Sequence, residues 1–227
     1  MLGTRQRALA RAITNQGVRT AMKTPSLALG ALVALLAFQV AAQTPEGTLT
    51  NVRGKVAKVD GKTLTVKSRD GHDVAVTMAD NFTVLGVKKV KLSDIKENDF
   101  VGVAAAPGKD GKLHAEEVLL FPEAARGTGE GHYGWDLRGK KDTMTNATVA
   151  QVASAPKGDS TVLQLKHKDG TNEIVVGPKT PVVTFAPDSK ELMKPGAAIF
   201  IRAMKKPDGS IAASRAIVEK DGVKPPM

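Results

Sequence analysis

The stretch that decides the fold is residues 54–67, GKVAKVDGKTLTVK, which is followed by an Asp-Gly turn and by DVAVTM at residues 73–78. Apolar and polar residues alternate in both segments. Alternation with a period of two, bounded by Asp-Gly turns, is typical of β-hairpins that bury one face. The stretch therefore predicts antiparallel strands.

A second copy of this pattern lies further along the chain. Residues 147–166 read ATVAQVASAPKGDSTVLQLK and are followed by Asp169-Gly170 and EIVV. Equivalent positions lie 93 to 99 residues apart, as for Val56 with Val149 and Leu64 with Leu163. The correspondence extends to residues 95–101 with 193–199 and to 110–115 with 208–213. The chain is thus a tandem duplication.

Each copy is predicted to form about five short strands, with a tight turn or short helix near residues 92–95 before a closing hairpin. Five strands in about 70–80 residues suit a small, partly open barrel of the OB type, and a split β-sandwich is the alternative. We therefore predict an all-β protein of two tandem OB-like β-barrels. The predicted boundaries are unit one at 43–123, a Gly-rich aromatic linker at 124–144 and unit two at 145–227.

The N-terminus carries the pattern of an export signal. Residues 27–40, LALGALVALLAFQV, form an apolar run that is shorter than the about 20 residues of a membrane span. Lys23 precedes the run and small residues follow it, which predicts a signal peptide at 1–42, cleaved after Ala42, and a periplasmic or secreted product. The alternatives are an uncleaved anchor and a buried core helix. Counted from Met22 the signal has an ordinary length, so the start is Met1 or Met22.

Charge and cysteine content exclude some classes of protein. The net charge of +10 falls to +5 without residues 1–42, because that segment holds five bases and no acid. This mild excess and the predicted export argue against nucleic acid as a partner, whereas an anionic envelope polymer would still be attracted. The absence of cysteine excludes disulfides and thiolate metal sites.

The order of these motifs resembles a family. The order G-x-V-x-x-V-D-G-x-x-L-x-V, then DG, then L-K-x-G-D-x-V, then DG-x-L-x-A, is similar to a bacterial domain family of unknown function whose members are exported, OB-like and often in tandem. Unit one carries the pattern, whereas unit two has Ala147 in place of the first glycine and Ala197 in place of an aspartate. The linker sequence GTGEGHYGWDL resembles proteins labelled metal ABC transporter permeases. The resemblance implies at most an association with metal transport, and it brings no catalytic residue.

The linker holds the candidate ligand or interface residues. Tyr133 and Trp135 are the only Tyr and Trp of the chain, and residues 126–142 include five glycines. With Arg126 and Arg138 they form either a stacking surface for an envelope protein or glycan, or a contact that fills the groove between the barrels.

Metal binding is the alternative chemistry. Glu130, His132 and Asp136 supply three nitrogen or oxygen ligands within seven residues, and His114 and Glu116 are alternate positions of one predicted strand. Imidazole and carboxylate suit Zn²⁺, Cu²⁺ or Ni²⁺. The four histidines show no H-x-x-x-H, H-E-x-x-H or EF-hand spacing, so surface polar residues are the competing interpretation and no cofactor is predicted.

Catalytic signatures are missing from the sequence. It contains no G-x-S-x-G, phosphate loop or dinucleotide-binding fingerprint, which argues against an enzyme. The sequence therefore predicts a non-catalytic envelope binding or adaptor protein. The alternative is a periplasmic metal-handling accessory protein.

Overall fold

The computed structural model describes residues 47–137, 141–155 and 159–225. The predicted signal peptide and Arg138 lie outside the described residues. The described residues all belong to one compact unit. Within the described ranges, no helix is long and apolar enough to cross a membrane.

The described chain is built from strands, as predicted. Its strands are β1 (Thr48–Asp60), β2 (Thr63–Ser68), β3 (Asp73–Lys89), β4 (Phe100–Pro107), β5 (Leu113–Leu120), β6 (Gly131–Gly134), β7 (Thr143–Ser154), β8 (Thr161–His167), β9 (Gly170–Val176), β10 (Val182–Asp188), β11 (Ala198–Lys205) and β12 (Ile211–Val218). Short 3₁₀ helices occur at Leu92–Asp94, Glu123–Ala125 and Lys190–Leu192. The first of them confirms the predicted turn before the closing hairpin.

The strands close into two five-stranded barrels. Barrel I consists of β1, β2, β3, β12 and β11 in that circular order, with β3 and β12 parallel and the other pairs antiparallel. Barrel II consists of β7, β8, β9, β5 and β4, with β9 and β5 as its parallel pair. The predicted pair of OB-like barrels is therefore confirmed.

The barrels do not coincide with the sequence repeats. Barrel I joins β1–β3 of the first repeat to β11 and β12 of the second, and barrel II joins β7–β9 of the second to β4 and β5 of the first. The predicted units 43–123 and 145–227 describe the repeats, but the expectation of one barrel per repeat is wrong. The exchange takes place on β3, which is 17 residues long and pairs with β2 over its first part and with β12 of the second repeat over its second part.

Each barrel has its own apolar core. The core of barrel I includes Val56, Leu64, Val66, Val76 and Ile201, all at most 2 % exposed. Barrel II buries the equivalent Val149, Leu163, Leu165 and Ile174 together with Val103, all fully buried. Burial of these alternating residues is what selects the face of each strand.

A third apolar cluster joins the barrels and is called the seam below. Its central pairing is that of β3 with β10, which are antiparallel from Val84↔Asp188 to Lys89↔Val183. The buried members of the seam are Val87, Ala104, Trp135, Leu137, Val183, Phe200 and Ile217. Because strands of both barrels and the predicted linker contribute to it, the seam fixes the barrels against each other.

Candidate binding site

The predicted linker folds onto the two barrels. β6 pairs antiparallel with the first part of β7, in the register Gly131↔Asn146 to Gly134↔Thr143. Immediately after β6, the Trp135 N–H donates to the Asp142 carbonyl oxygen at 2.8 Å. This short hairpin directs residues 133–137 over the seam.

Trp135 is buried in the seam, with 9 % of its surface exposed. Its ring meets Phe200 edge-on at a centroid distance of 6.3 Å and Tyr133 at 6.1 Å. Such tilted aromatic pairs are favourable beyond the area that they bury. Trp135 thus packs between the barrels and is almost fully shielded from solvent.

Arg53 is a buried cation at the same place. Its guanidinium carbon lies 5.0 Å from the ring centroids of both Trp135 and Phe200, and its Nη1 donates to Asp136 Oδ2 at 2.9 Å. The Nε and Nη2 atoms are buried without a hydrogen-bond partner. Burial lowers the pKa of Arg53, and Asp136 offsets part of that effect. The two ring faces stabilise the charge that water does not reach.

Asp136 holds this arrangement from the solvent side. Its carboxylate accepts from Asn51 Nδ2 at 2.8 Å and from Arg53, while Arg69 Nη2 donates to its carbonyl oxygen at 3.4 Å. Partial burial by itself raises the pKa of Asp136, but the hydrogen bonds from Arg53 and Asn51 outweigh it and hold the pKa below the ordinary value. Asp136 is therefore an ionised, oriented group at neutral pH.

Two open grooves meet at Asp136 and share Thr50 and Asn51. The Arg69 groove has a volume of about 410 Å³ and lies mainly between β1 and the turn after β2. Its lining residues are Thr50, Asn51, Val52, Arg53, Ser68, Arg69, Asp70, His72, Val74, Asp136 and Ile211. The Tyr133 groove, of about 440 Å³, is lined by Leu49, Thr50, Asn51, Tyr133, Gly134, Trp135, Asp136 and Arg202.

The rim of the Tyr133 groove combines an aromatic ring with a cation. Tyr133 is half-buried, and its hydroxyl accepts from Asn146 Nδ2 at 3.3 Å. The Arg202 guanidinium lies 5.9 Å from the Tyr133 ring and takes part in none of the ion pairs of the described residues. Leu49, which is 56 % exposed, adds an apolar surface. The rim thus offers stacking, charge and apolar contact to a ligand.

Two of the predicted metal ligands of the linker, His132 and Asp136, have different partners. The His132 Nδ1 lies 2.8 Å from Thr145 Oγ1, and its ring stacks on His167 with 6.3 Å between centroids. Burial and the neighbouring His167 lower the pKa of His132. Asp136 is engaged with Arg53 and Asn51 instead. Among the described residues, no three His, Asp or Glu side chains come close enough to hold a metal ion.

The second predicted ligand pair is altered by a β-bulge. Ala105 pairs with Ala115 but Ala104 pairs with Glu117, so Glu116 is an extra residue in β5 and the alternation from His114 is interrupted. His114 Nε2 instead lies 3.0 Å from Asp110 Oδ1.

Arg126 lies away from both grooves. It binds Glu123 through Nε at 2.6 Å and donates to the Asn98 carbonyl oxygen at 2.8 Å. It therefore anchors the start of the predicted linker to barrel II.

Sequence reasoning located Tyr133, Trp135 and Asp136 but missed the side chains that complete the site. Asn51 and Arg53 lie 85 and 83 residues from Asp136, and Arg202 comes from the second repeat. One signal was visible, since Arg53 is a charged residue that directly precedes the stretch 54–67.

Comparison of the chain with protein-family models, with curated proteins and with solved structures yields no match. The resemblance to exported tandem OB-like domains stays a prediction, and the function is argued from the geometry of the site.

Proposed function

We propose that this chain is a non-catalytic, exported binding or adaptor protein of the bacterial envelope, and that its ligand lies in the two grooves that meet at Asp136. The observation that carries the proposal is the convergence of both grooves on one pre-formed group of side chains. Asn51 and Arg53 both already donate to the Asp136 carboxylate, so the geometry of these three residues requires no ordering when a ligand arrives.

The chemistry of the groove rims supports binding by several weak contacts. Arg69 and Arg202 supply cations on the two sides of Asp136, and Tyr133 and Leu49 supply apolar surface. Aromatic residues and arginine are the types that contribute most to recognition surfaces. An envelope protein or a glycan offers the polar and apolar groups that such a rim contacts.

The protonation state of Asp136 also favours binding over proton transfer. A general base works best when its pKa is near the operating pH. The hydrogen bonds from Arg53 and Asn51 instead hold the pKa of Asp136 below the ordinary carboxyl value, and so further from neutral pH. The carboxylate is thus suited to accepting hydrogen bonds from a ligand.

A photo-crosslinking experiment in the producing cells tests the proposal. Benzoylphenylalanine is introduced at Leu49 for the Tyr133 groove and at His72 for the Arg69 groove, both exposed positions. The matched control is Glu173, which is exposed on β9 of barrel II. We expect discrete adducts at positions 49 and 72 and none at 173. Absence of adducts at both groove positions, or equal adducts at all three, would overturn the proposal.

A further inference from the structure

The first part of β7 in barrel II and the equivalent part of β1 in barrel I differ in their strand pairing: one edge of β7 is paired with β6, whereas the same edge of β1 has no described strand beside it. In barrel II, the first part of β7 pairs with β4 on one side and with β6 on the other, through Gly131↔Asn146 and Tyr133↔Met144. β6 also lies against the turn after β8, where a Cβ on Gly131 would be 3.7 Å from Asp169 Oδ2. β6 therefore fills a strand position between β7 and that turn.

The equivalent position in barrel I is open within the described residues. Residues 50–53 of β1 correspond to 143–146 of β7, and they pair with β11 on one side. On the other side β2 begins its pairing only at Gly54, and no described strand takes the place of β6. The Arg69 groove occupies this place, between β1 and the turn Ser68 to His72 that corresponds to the turn beside β6.

The direction of the backbone groups follows from the neighbouring pairing. The Val56 N–H donates to the Ala197 carbonyl at 2.9 Å, and the Gly196 N–H donates to the Val56 carbonyl at 2.8 Å. Backbone groups alternate from side to side along a strand, so the N–H and C=O of Arg53 and Asn51 point away from β11 and into the groove. Their equivalents, Asn146 and Met144, are the residues that β6 pairs with.

We propose that the Arg69 groove receives an extended segment of a partner polypeptide, which adds to β1 as an antiparallel strand opposite Asn51 and Arg53. This inference rests on the proposed function and narrows its ligand to a protein. An unpaired strand edge recognises another strand through main-chain hydrogen bonds, whereas pockets on alternate sides select its side chains.

The length of the chain favours a partner over the protein's own N-terminus. β6 reaches its position because eight residues, 135–142, connect it to β7. Predicted cleavage after Ala42 leaves only residues 43–47 before β1. Gly47 is still packed against β11, where a Cβ would be 2.7 Å from Met204 Cγ. The remaining residues are too few to turn back and form a strand beside residues 50–53.

The test uses β6 itself as the probe strand. The capped heptapeptide EGHYGWD, residues 130–136, is added to the chain from Gln43 onward, and amide hydrogen exchange is followed by NMR. We expect at least about tenfold slower exchange at the Asn51 and Arg53 amides, and no change at Thr50 and Val52, whose amides already face β11. The matched control peptide carries N-methyl groups on its Gly131 and Tyr133 equivalents, which removes the two donors and keeps the side chains.

Each outcome decides the proposal. Protection by the first peptide and none by its N-methylated form supports strand addition. Equal protection by both peptides, or none by either at millimolar concentration, overturns it, while the crosslinks at positions 49 and 72 would still support the proposed function. Protection without peptide that rises with protein concentration assigns the edge to a second copy and also overturns it. If the amides are protected without peptide, but only in the chain that retains residues 1–42, the edge is assigned to the N-terminal segment. This outcome also overturns the proposal.

Discussion

Barrel I and barrel II have the same strand order and equivalent cores, yet they differ along one edge. The first part of β7 is covered by β6, whereas the same part of β1 borders an open groove. The covering strand comes from residues between the repeats, which have no counterpart in the duplicated pattern. Duplication thus reproduced the five-stranded barrel, and the sequence between the repeats made the two barrels different. Binding is proposed at the edge of β1, where barrel I has no strand equivalent to β6 among the described residues.

The largest expected effect comes from separating the two repeats. A protease site inserted at exposed Thr128 cuts the chain between them. We expect the cut halves to co-elute in size-exclusion chromatography, because each barrel contains strands of both. After separation in denaturant, neither half should regain a cooperative unfolding transition. Isolated halves that fold as stable monomers would contradict the strand exchange.

Replacing Trp135 with Ala should be the most damaging single change. Removing this buried ring should lower the free energy of unfolding by about 3–5 kcal/mol. Urea denaturation measures the loss, and Trp135→Phe is the control that keeps an aromatic ring between Tyr133 and Phe200. Before any substitution, fluorescence emission of the single Trp should be shifted to shorter wavelength than that of free tryptophan. Emission like that of tryptophan in water would contradict its place in the seam.

A matched pair of core substitutions compares the barrels directly. Leu64→Ala in barrel I and Leu163→Ala in barrel II remove equivalent side chains, which are 1 % and 0 % exposed. Each should lower the free energy of unfolding by about 2–5 kcal/mol. Because the barrels share both repeats, we expect one shifted transition in each variant. Two transitions, with only one displaced by each substitution, would show that the barrels unfold independently.

Asp136→Asn tests the group at which the grooves meet. The pKa of Asp136 is lowered in the folded state, so its contribution to stability is present above the pKa of the unfolded chain and is lost as the pH falls through the folded value. Since the side chain is 61 % exposed, we expect a loss of about 1 kcal/mol at neutral pH that vanishes in acid. Urea titrations from pH 7 to 2 measure the difference. Asp80→Asn, at an exposed pair with Lys62, is the control and should change little.

The smallest expected effect concerns His132 on β6. Its pKa is lowered by burial and by His167, so the stability that it contributes is present above the pKa of the unfolded chain and is lost as the pH falls through it to the lower folded value. NMR titration of the ring protons should give a midpoint below the ordinary histidine value. His167→Gln removes one cause and should move that midpoint upward. An unchanged midpoint in the variant would leave burial as the sole cause.

The hairpins and the short turn could be predicted because they depend on residues that are close together in the sequence. Alternation in residues 54–67 identifies a hairpin, and the turn predicted near residues 92–95 is found at Leu92–Asp94. The exchange of closing hairpins was not predictable in this way. β1–β3 present the same apolar pattern to β4 and β5 as to β11 and β12, because the repeats are copies.

The candidate site likewise combines residues that are close in sequence, which could be predicted, with residues that only strand pairing brings together, which could not. Tyr133, Trp135 and Asp136 stand out because they are close together in an unusual sequence. Asn51, Arg53 and Arg202 join them only through the pairing of β1 with β11, which places Asn51 opposite Arg202. The predicted pair of His114 and Glu116 depends on strand pairing in the same way, since a single bulge at Glu116 changes which side chains share a face.

The pairing of β1 with β11 also sets the order in which the protein is completed. β11 begins 150 residues after Thr48, whereas all strands of barrel II lie between Phe100 and Val176. A chain that emerges from its N-terminus therefore supplies every strand of barrel II before barrel I has received its last two. Contacts between residues so distant in sequence form slowly. Until β11 and β12 pair with them, the edges of β1 and β3 can pair with other strands. Barrel I lacks two of its five strands until β11 and β12 are available.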